Sequence, residues 1–166
     1  MQTYSTLFLP ALPPFPSNAL PVLIYRKALE PPHDFARLFA ENGWQGIWIN
    51  GVYGFHHFHA QAHEALGIQR GHGMILLGGP DGEEIPVIAG DALLLPAGTG
   101  HKLLFASDDL SVVGAYPKGQ SPDMERGSPA RYNECVARVN AVLLPDTDPV
   151  YEDGPAARWY AFSRES

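Results

Sequence analysis

Histidine is unevenly spread along this chain: of seven in 166 residues, six fall between His56 and His101, and five of those between His56 and His72. Imidazole holds transition metals and moves protons near neutral pH, so the clustering raises metal or acid–base chemistry first. In the run FHHFH, His57 and His59 are separated by one residue. On extended backbone they share a face, while His56 and Phe58 take the other. Metal–nitrogen bonds of about 2.0–2.1 Å need rings that converge from neighbouring positions, which this spacing supplies. Further ligands must come from elsewhere. Glu64 opens the next expected strand, and His101 follows the turn holding Pro96, Gly98 and Gly100, in a segment able to pair beside the histidine pair. Three neutral imidazoles, one carboxylate and a divalent ion leave a centre of about +1 charge. One or two positions stay open to anionic oxygen when the metal takes five or six ligands.

Other readings of these residues stay open. AQAHEAL (residues 60–66) has helix propensity, and His59 and His63, four apart, could bind zinc from one helix. HExxH and HxxEH are both absent, however, and glycines at 51, 54, 67, 71 and 73 leave little room for a long helix. A one-residue register shift after His59 would put His63 in place of Glu64 as ligand. Otherwise His56 and His63 are expected on the solvent side of their strands, with a role in orienting a ligand as the alternative. His72, between two glycines, reads as a surface turn. Trp48, Tyr53 and Tyr116 are candidate pocket walls, although aromatic residues in a small barrel are more often core. Cys135, the single cysteine, can form no internal disulfide and is expected to be a small buried hydrophobe. GHGMILLGG lacks the ending and the spacing of a phosphate loop.

The elements that must position these residues are short. Glycine (17) and proline (16) separate many brief apolar runs in a chain that is 45% hydrophobic, enough for one domain with its own core. Residues 1–33 read as a proline-rich arm with one strand, 21–25, lying on a sheet edge or crossing to a second subunit. Asp34 caps a short helix carrying Phe35, Leu38 and Phe39, which Gly43 stops. Strands are expected over 45–50, 74–77, 85–88, 92–95, 101–106 and 110–116, with GGPDG (78–82) as a hairpin turn. Such turn spacing is that of an all-β sandwich or barrel. Ser128 and Pro129 start a C-terminal helix whose stripe of Tyr132, Cys135, Val136, Val139 and Val142 faces inward, with Glu134 and Arg138 able to pair one turn apart. Beyond Pro145, Asp146, Asp148, Glu152 and Asp153 do not match an EF-hand and read as a solvated loop ahead of Trp159, Tyr160 and Phe162. A net charge of -7 argues against nucleic acid as a partner. Prolines interrupt any secretory signal and no apolar run approaches the ~20 residues of a membrane span, so a cytoplasmic protein with no membrane partner is expected.

Gly51, His57, His59, Glu64 and Gly71 fit the pattern G-x5-HxH-x(3,4)-E-x6-G, and Gly90, Pro96, Gly98 and His101 fit G-x5-PxG-x2-H, with 18 residues between Gly71 and Gly90. In this order and spacing they resemble the two motifs of the cupin superfamily, over residues 51–105, about a third of the chain. The Asn that ends the second cupin motif is Phe105 here, a departure outside the ligand set. The flanking helices and the segments FHHFH and GAYPKGQ are similar to the small single-domain YjlB-type branch of bacterial cupins.

The resemblance implies a mainly β fold, a double-stranded β-helix or jelly-roll barrel with a short N-terminal helix and a C-terminal helix. It implies one domain over 1–166, with arm and helix at 1–43, barrel core at 44–117 and C-terminal helix and tail at 118–166, and a homodimer as the common assembly. His57, His59, Glu64 and His101 would hold one divalent transition metal ion per chain, iron, manganese, nickel or zinc. Two function classes follow. One is a metal-dependent enzyme, an oxidoreductase or isomerase among them, acting on a small polar or anionic molecule by dioxygenase, isomerase or decarboxylase chemistry. The other is a metal- or ligand-binding sensor module without turnover.

Overall fold

The short apolar runs pair into two antiparallel sheets in the computed structural model, which describes residues 2–162. The larger sheet has the order β1 (Ser5–Leu7), β2 (Val22–Tyr25), β7 (Ala92–Leu95), β4 (Glu64–Arg70), β9 (Ser111–Tyr116) and β3 (Gln45–Asn50). The smaller has the order β6 (Glu83–Ile88), β5 (His72–Leu77) and β8 (His101–Ala106). The expected strands all form, with bounds within two residues of those read from the sequence. β1 is an addition: three residues too few to show a pattern form a strand because β2 offers them a free edge. The arm therefore extends the larger sheet by two strands beyond β7.

Leu66, Ile68, Ile75, Leu77, Leu93 and Val112 form the core shared by the two sheets. Two facing antiparallel sheets are consistent with a jelly roll, although among the described residues no strand ladder joins the sheets into one closed barrel. A second core covers the other face of the larger sheet, where Tyr25, Leu94 and Val113 meet Phe35 and Phe39 of α1 (Phe35–Glu41) and Trp159. Burial on both faces explains why β2, β7 and β9 are buried at every position instead of alternating. α1 starts as read, with the Asp34 side chain accepting from the Arg37 N–H at 3.2 Å, and Gly43 follows its end at φ +83°. No helix is long and apolar enough to cross a membrane among the described residues.

Two expectations for the C-terminal third need correction. In α2 (Tyr132–Asn140), Arg138 does not turn to Glu134; it reaches back to Asp123 at 3.0 Å and Glu125 at 3.3 Å, and Glu134 lies 3.4 Å from Arg131 instead. Partly buried carboxylates fixed by a loop hold a guanidinium better than an exposed one on the same helix. Asp148, read as part of a solvated loop, is fully buried. It accepts from the Tyr25 hydroxyl at 2.7 Å and from the Val150, Tyr151 and Ala156 N–H groups at 2.7, 2.9 and 2.9 Å. Four donors offset the cost of taking a carboxylate out of water. With Trp159, buried and donating to the Pro21 carbonyl at 2.9 Å, this pins the tail over β2. The side chains of Tyr160 and Phe162 lie outside the described part.

Candidate metal centre

His57 and His59 do not lie on a strand of either sheet; they sit on a strap of backbone between two single bridges. His57 exchanges N–H and carbonyl with His101, while Phe58 does the same with Glu125 on the strap's other side. Alternation of partners enforces alternation of side chains. Phe58 is driven into the cluster of Phe15, Ala60, Cys135 and Val139, and the two imidazoles emerge together on the opposite face. Cys135 is thus the buried hydrophobe expected. The same backbone exchange brings His101, at the start of β8, beside the pair.

Each of the three rings has one nitrogen committed. His57 Nδ1 donates to the Phe55 carbonyl at 3.0 Å, His101 Nδ1 to the Thr99 carbonyl at 3.0 Å, and His59 Nδ1 to the Asp123 carbonyl. A carbonyl only accepts, so each Nδ1 carries the proton, and a neutral ring then presents a bare Nε2. This is the arrangement that orients histidine for a metal. All three residues are buried, and one ligand nitrogen of each lies within 4.8 Å of the others. Glu64 at the start of β4 sets its carboxylate among them, with Oε2 3.4 Å from His59 Nε2 and Oε1 3.3 Å from His101 Nε2. Three converging lone pairs around a buried carboxylate fit a cation at their centre.

The carboxylate is itself held. Tyr116 donates its hydroxyl to Glu64 Oε2 at 2.8 Å, and Trp48 Nε1 donates to the Tyr116 oxygen at 2.8 Å. Trp48 faces Gly114 across the β3–β9 pair, where a methyl group on Gly114 would lie 2.0 Å from the indole. Only glycine lets the ring lie flat enough against β9 to reach Tyr116. Trp48 and Tyr116, candidate walls by residue type, line the cavity and also restrain the carboxylate, a role that no local pattern signals.

Without a metal the charges are strongly coupled. Burial would raise Glu64, but the contacts from His101 and His59 outweigh it and hold the carboxyl well below the usual carboxylate range. Burial pulls His59 down, yet its contact with Glu64 leaves it above its ordinary value. His57, which Glu64 reaches less closely, is lowered to about 4 by burial and by the neighbouring His101.

The other histidines serve differently. His63, expected toward solvent or as a substitute ligand, is buried with both nitrogens engaged: Nδ1 accepts from the Ala97 N–H at 2.9 Å and Nε2 donates to the Leu143 carbonyl at 3.1 Å. It has no lone pair left for an ion. His56 also departs from the solvent-side reading; its ring packs edge-on to Phe15 at 5.6 Å, with Nδ1 buried. His72 is exposed at the start of β5.

The site forms the floor of a cavity of about 590 Å³ walled by Trp48, Tyr53 and Tyr116 among others. Part of its wall, Pro122 to Met124, comes from a loop that no local sequence pattern marks. That loop also carries the carbonyl that fixes His59, and Arg131 and Arg138 of the C-terminal helical segment hold it through Glu125 and Asp123.

No family model matches the chain. Over 130 residues it is 38% identical to protein YjlB of Bacillus subtilis, an alignment covering 78% of this chain and 79% of the relative. The chain belongs to the YjlB family. Solved structures similar to this YjlB-family chain include acireductone dioxygenase from Bacillus anthracis, with a cadmium ion in its active centre, at 17% identity over 61% of this chain and 82% of that one, with a TM-score of 0.42. A cupin from Bacteroides fragilis is 28% identical over 46% and 68%, with a TM-score of 0.37. A deletion mutant of oxalate decarboxylase from Bacillus subtilis is 18% identical over 69% and 30%, with a TM-score of 0.40.

Proposed function

We propose that His57, His59, Glu64 and His101 hold one divalent transition metal ion, iron, manganese, nickel or zinc, and that the chain is an enzyme acting on a small polar or anionic molecule by dioxygenase, isomerase or decarboxylase chemistry. The observation that carries this reading is the tautomer lock. Three Nδ1–H groups are spent on backbone carbonyls, so three Nε2 atoms and one buried carboxylate point into the floor of a cavity. Bound there, the ion would supply Lewis-acid stabilisation of negative charge on a substrate oxygen. The chain itself fixes ring orientation through the Phe55, Thr99 and Asp123 carbonyls, restrains Glu64 through Tyr116, and lines the approach with Trp48 and Tyr53.

A second reading, a binding module without turnover, draws on the saturation of the polar groups near the site. The Tyr116 hydroxyl already donates to Glu64, and the Asp123 carboxylate is engaged by Arg138 and the Gln61 N–H.

Elemental analysis of protein purified without chelator tests the ligand set. About one ion per chain is expected in the wild type and in His72→Ala, with loss of metal from His57→Ala and from His101→Ala. Equal metal content in all four proteins, or a wild type that takes up none on titration, would overturn the assignment.

A further inference from the structure

We propose that the cavity selects a molecule with one oxygen-rich head and an apolar body of several carbons, and rejects molecules with a second charged group. This rests on the metal reading for where the head binds, and on the cavity wall for the rest. The space of about 590 Å³ would hold about twenty waters at ~30 Å³ each, far more than a two- or three-carbon acid fills. Above the ligands the wall is Trp48, Ile49, Val52, Leu66, Pro122 and Met124, and no lining residue is Lys or Arg.

Apart from Tyr53, which is 54% exposed, and the Asn50 amide nitrogen, the polar side-chain atoms that line the cavity above the histidines are engaged within the protein. Trp48 Nε1 donates to Tyr116, whose hydroxyl donates to Glu64, and Asn50 Oδ1 accepts from the Gly51 N–H at 2.9 Å. Asp123 turns its two carboxylate oxygens to Gln61 and Arg138. Arg126 lies over the Phe55 ring, 3.6 Å from its centroid, and is not a lining residue. A phosphate or second carboxylate would therefore lose its water without gaining a cation, the costly case for a charge. At the rim, Ile49 and Met124 remain 56% and 44% exposed, apolar surface that a carbon chain would cover.

Straight-chain alkanehydroxamates from acetyl to octanoyl, each paired with its ω-carboxylate of equal length, test this by calorimetry on zinc-loaded and chelator-stripped protein. Affinity should rise roughly fourfold per methylene in both forms, the increment for burying one CH₂. Each ω-carboxylate should bind about tenfold or more weakly than its alkyl partner. Zinc should raise the whole series by a common factor. A flat series, or stronger binding of the ω-carboxylates, would overturn the proposal. A common factor that does not respond to zinc would count against the metal reading alone, because the methylene increment still decides the nature of the wall. Met124→Lys, a change at the exposed rim, should remove the ω-carboxylate penalty; a penalty left intact would show that the chain does not leave past Met124.

Discussion

A histidine can serve a metal only while one nitrogen is bare and aimed, and that condition separates the residues here. The motif spacing identified His57, His59, Glu64 and His101 as the group to examine, and the structure brings them together. What the spacing could not convey is how each ring is locked, because the acceptors are backbone carbonyls, which carry no residue signature. Asp123 stands 64 positions from His59. The restraint on Glu64 was hidden for a related reason: it depends on Trp48 lying against Gly114, a cross-strand pairing that follows only from register. Tyr116→Phe removes one hydroxyl from this chain and keeps the ring. We expect metal affinity to fall about 10- to 100-fold, as for other groups that orient a ligand, with little change in fold. Competition with a chromophoric chelator measures it, and wild-type affinity in the variant would show that Glu64 needs no such restraint.

Elements were legible where a local pattern decides them and obscure where a distant partner does. The strands from β3 to β9 and α1 announce themselves by apolar runs between glycine and proline turns. The tail does not, since four acids in a polar stretch look alike until one of them meets a buried donor. Asp148 meets Tyr25, and both burial and that carboxylate push the phenol well above its ordinary value. An unfolded Tyr25 ionises near pH 10 while the folded one keeps its proton, so the unfolded chain binds fewer protons there and stability falls as pH rises beyond that point. Tyr25→Phe should cost about 1.5–3 kcal/mol at neutral pH, the worth of a hydrogen bond to a charged group. The gap between wild type and variant should narrow as urea midpoints are followed from about pH 8 to about pH 11. A gap that stays constant would mean that the phenol is not what titrates.

At the scale of the molecule, the four proposed ligands belong to different parts of the architecture: Glu64 to the larger sheet, His101 to the smaller, and the other two to the strap. An ion held by all four would tie the sheets together and bind only the folded chain. At a free concentration about 100 times its Kd it should add about 2.7 kcal/mol. For a chain of this size that raises Tm by roughly 5–10 °C, and a chelator should reverse the gain. Scanning calorimetry with and without metal checks this; an unchanged Tm in protein shown to carry the ion would mean that the unfolded chain holds it as well, and that the folded arrangement of the four residues does not make the site. The face-to-face packing that makes such a tie effective was foreseen only as a class of fold, because strand order across a sheet is not encoded in the strands' own patterns.

His63 and Glu64 are consecutive residues, so their side chains leave opposite faces of the chain. Glu64 points to His59 and His101; His63 donates to the Leu143 carbonyl and lies against Trp159, 4.9 Å between ring centroids. A single peptide unit therefore links the docked tail to the carboxylate. Loss of the Leu143 and Trp159 contacts with His63 would bear on Glu64 through the peptide the two residues share, with all four proposed metal ligands still in the sequence.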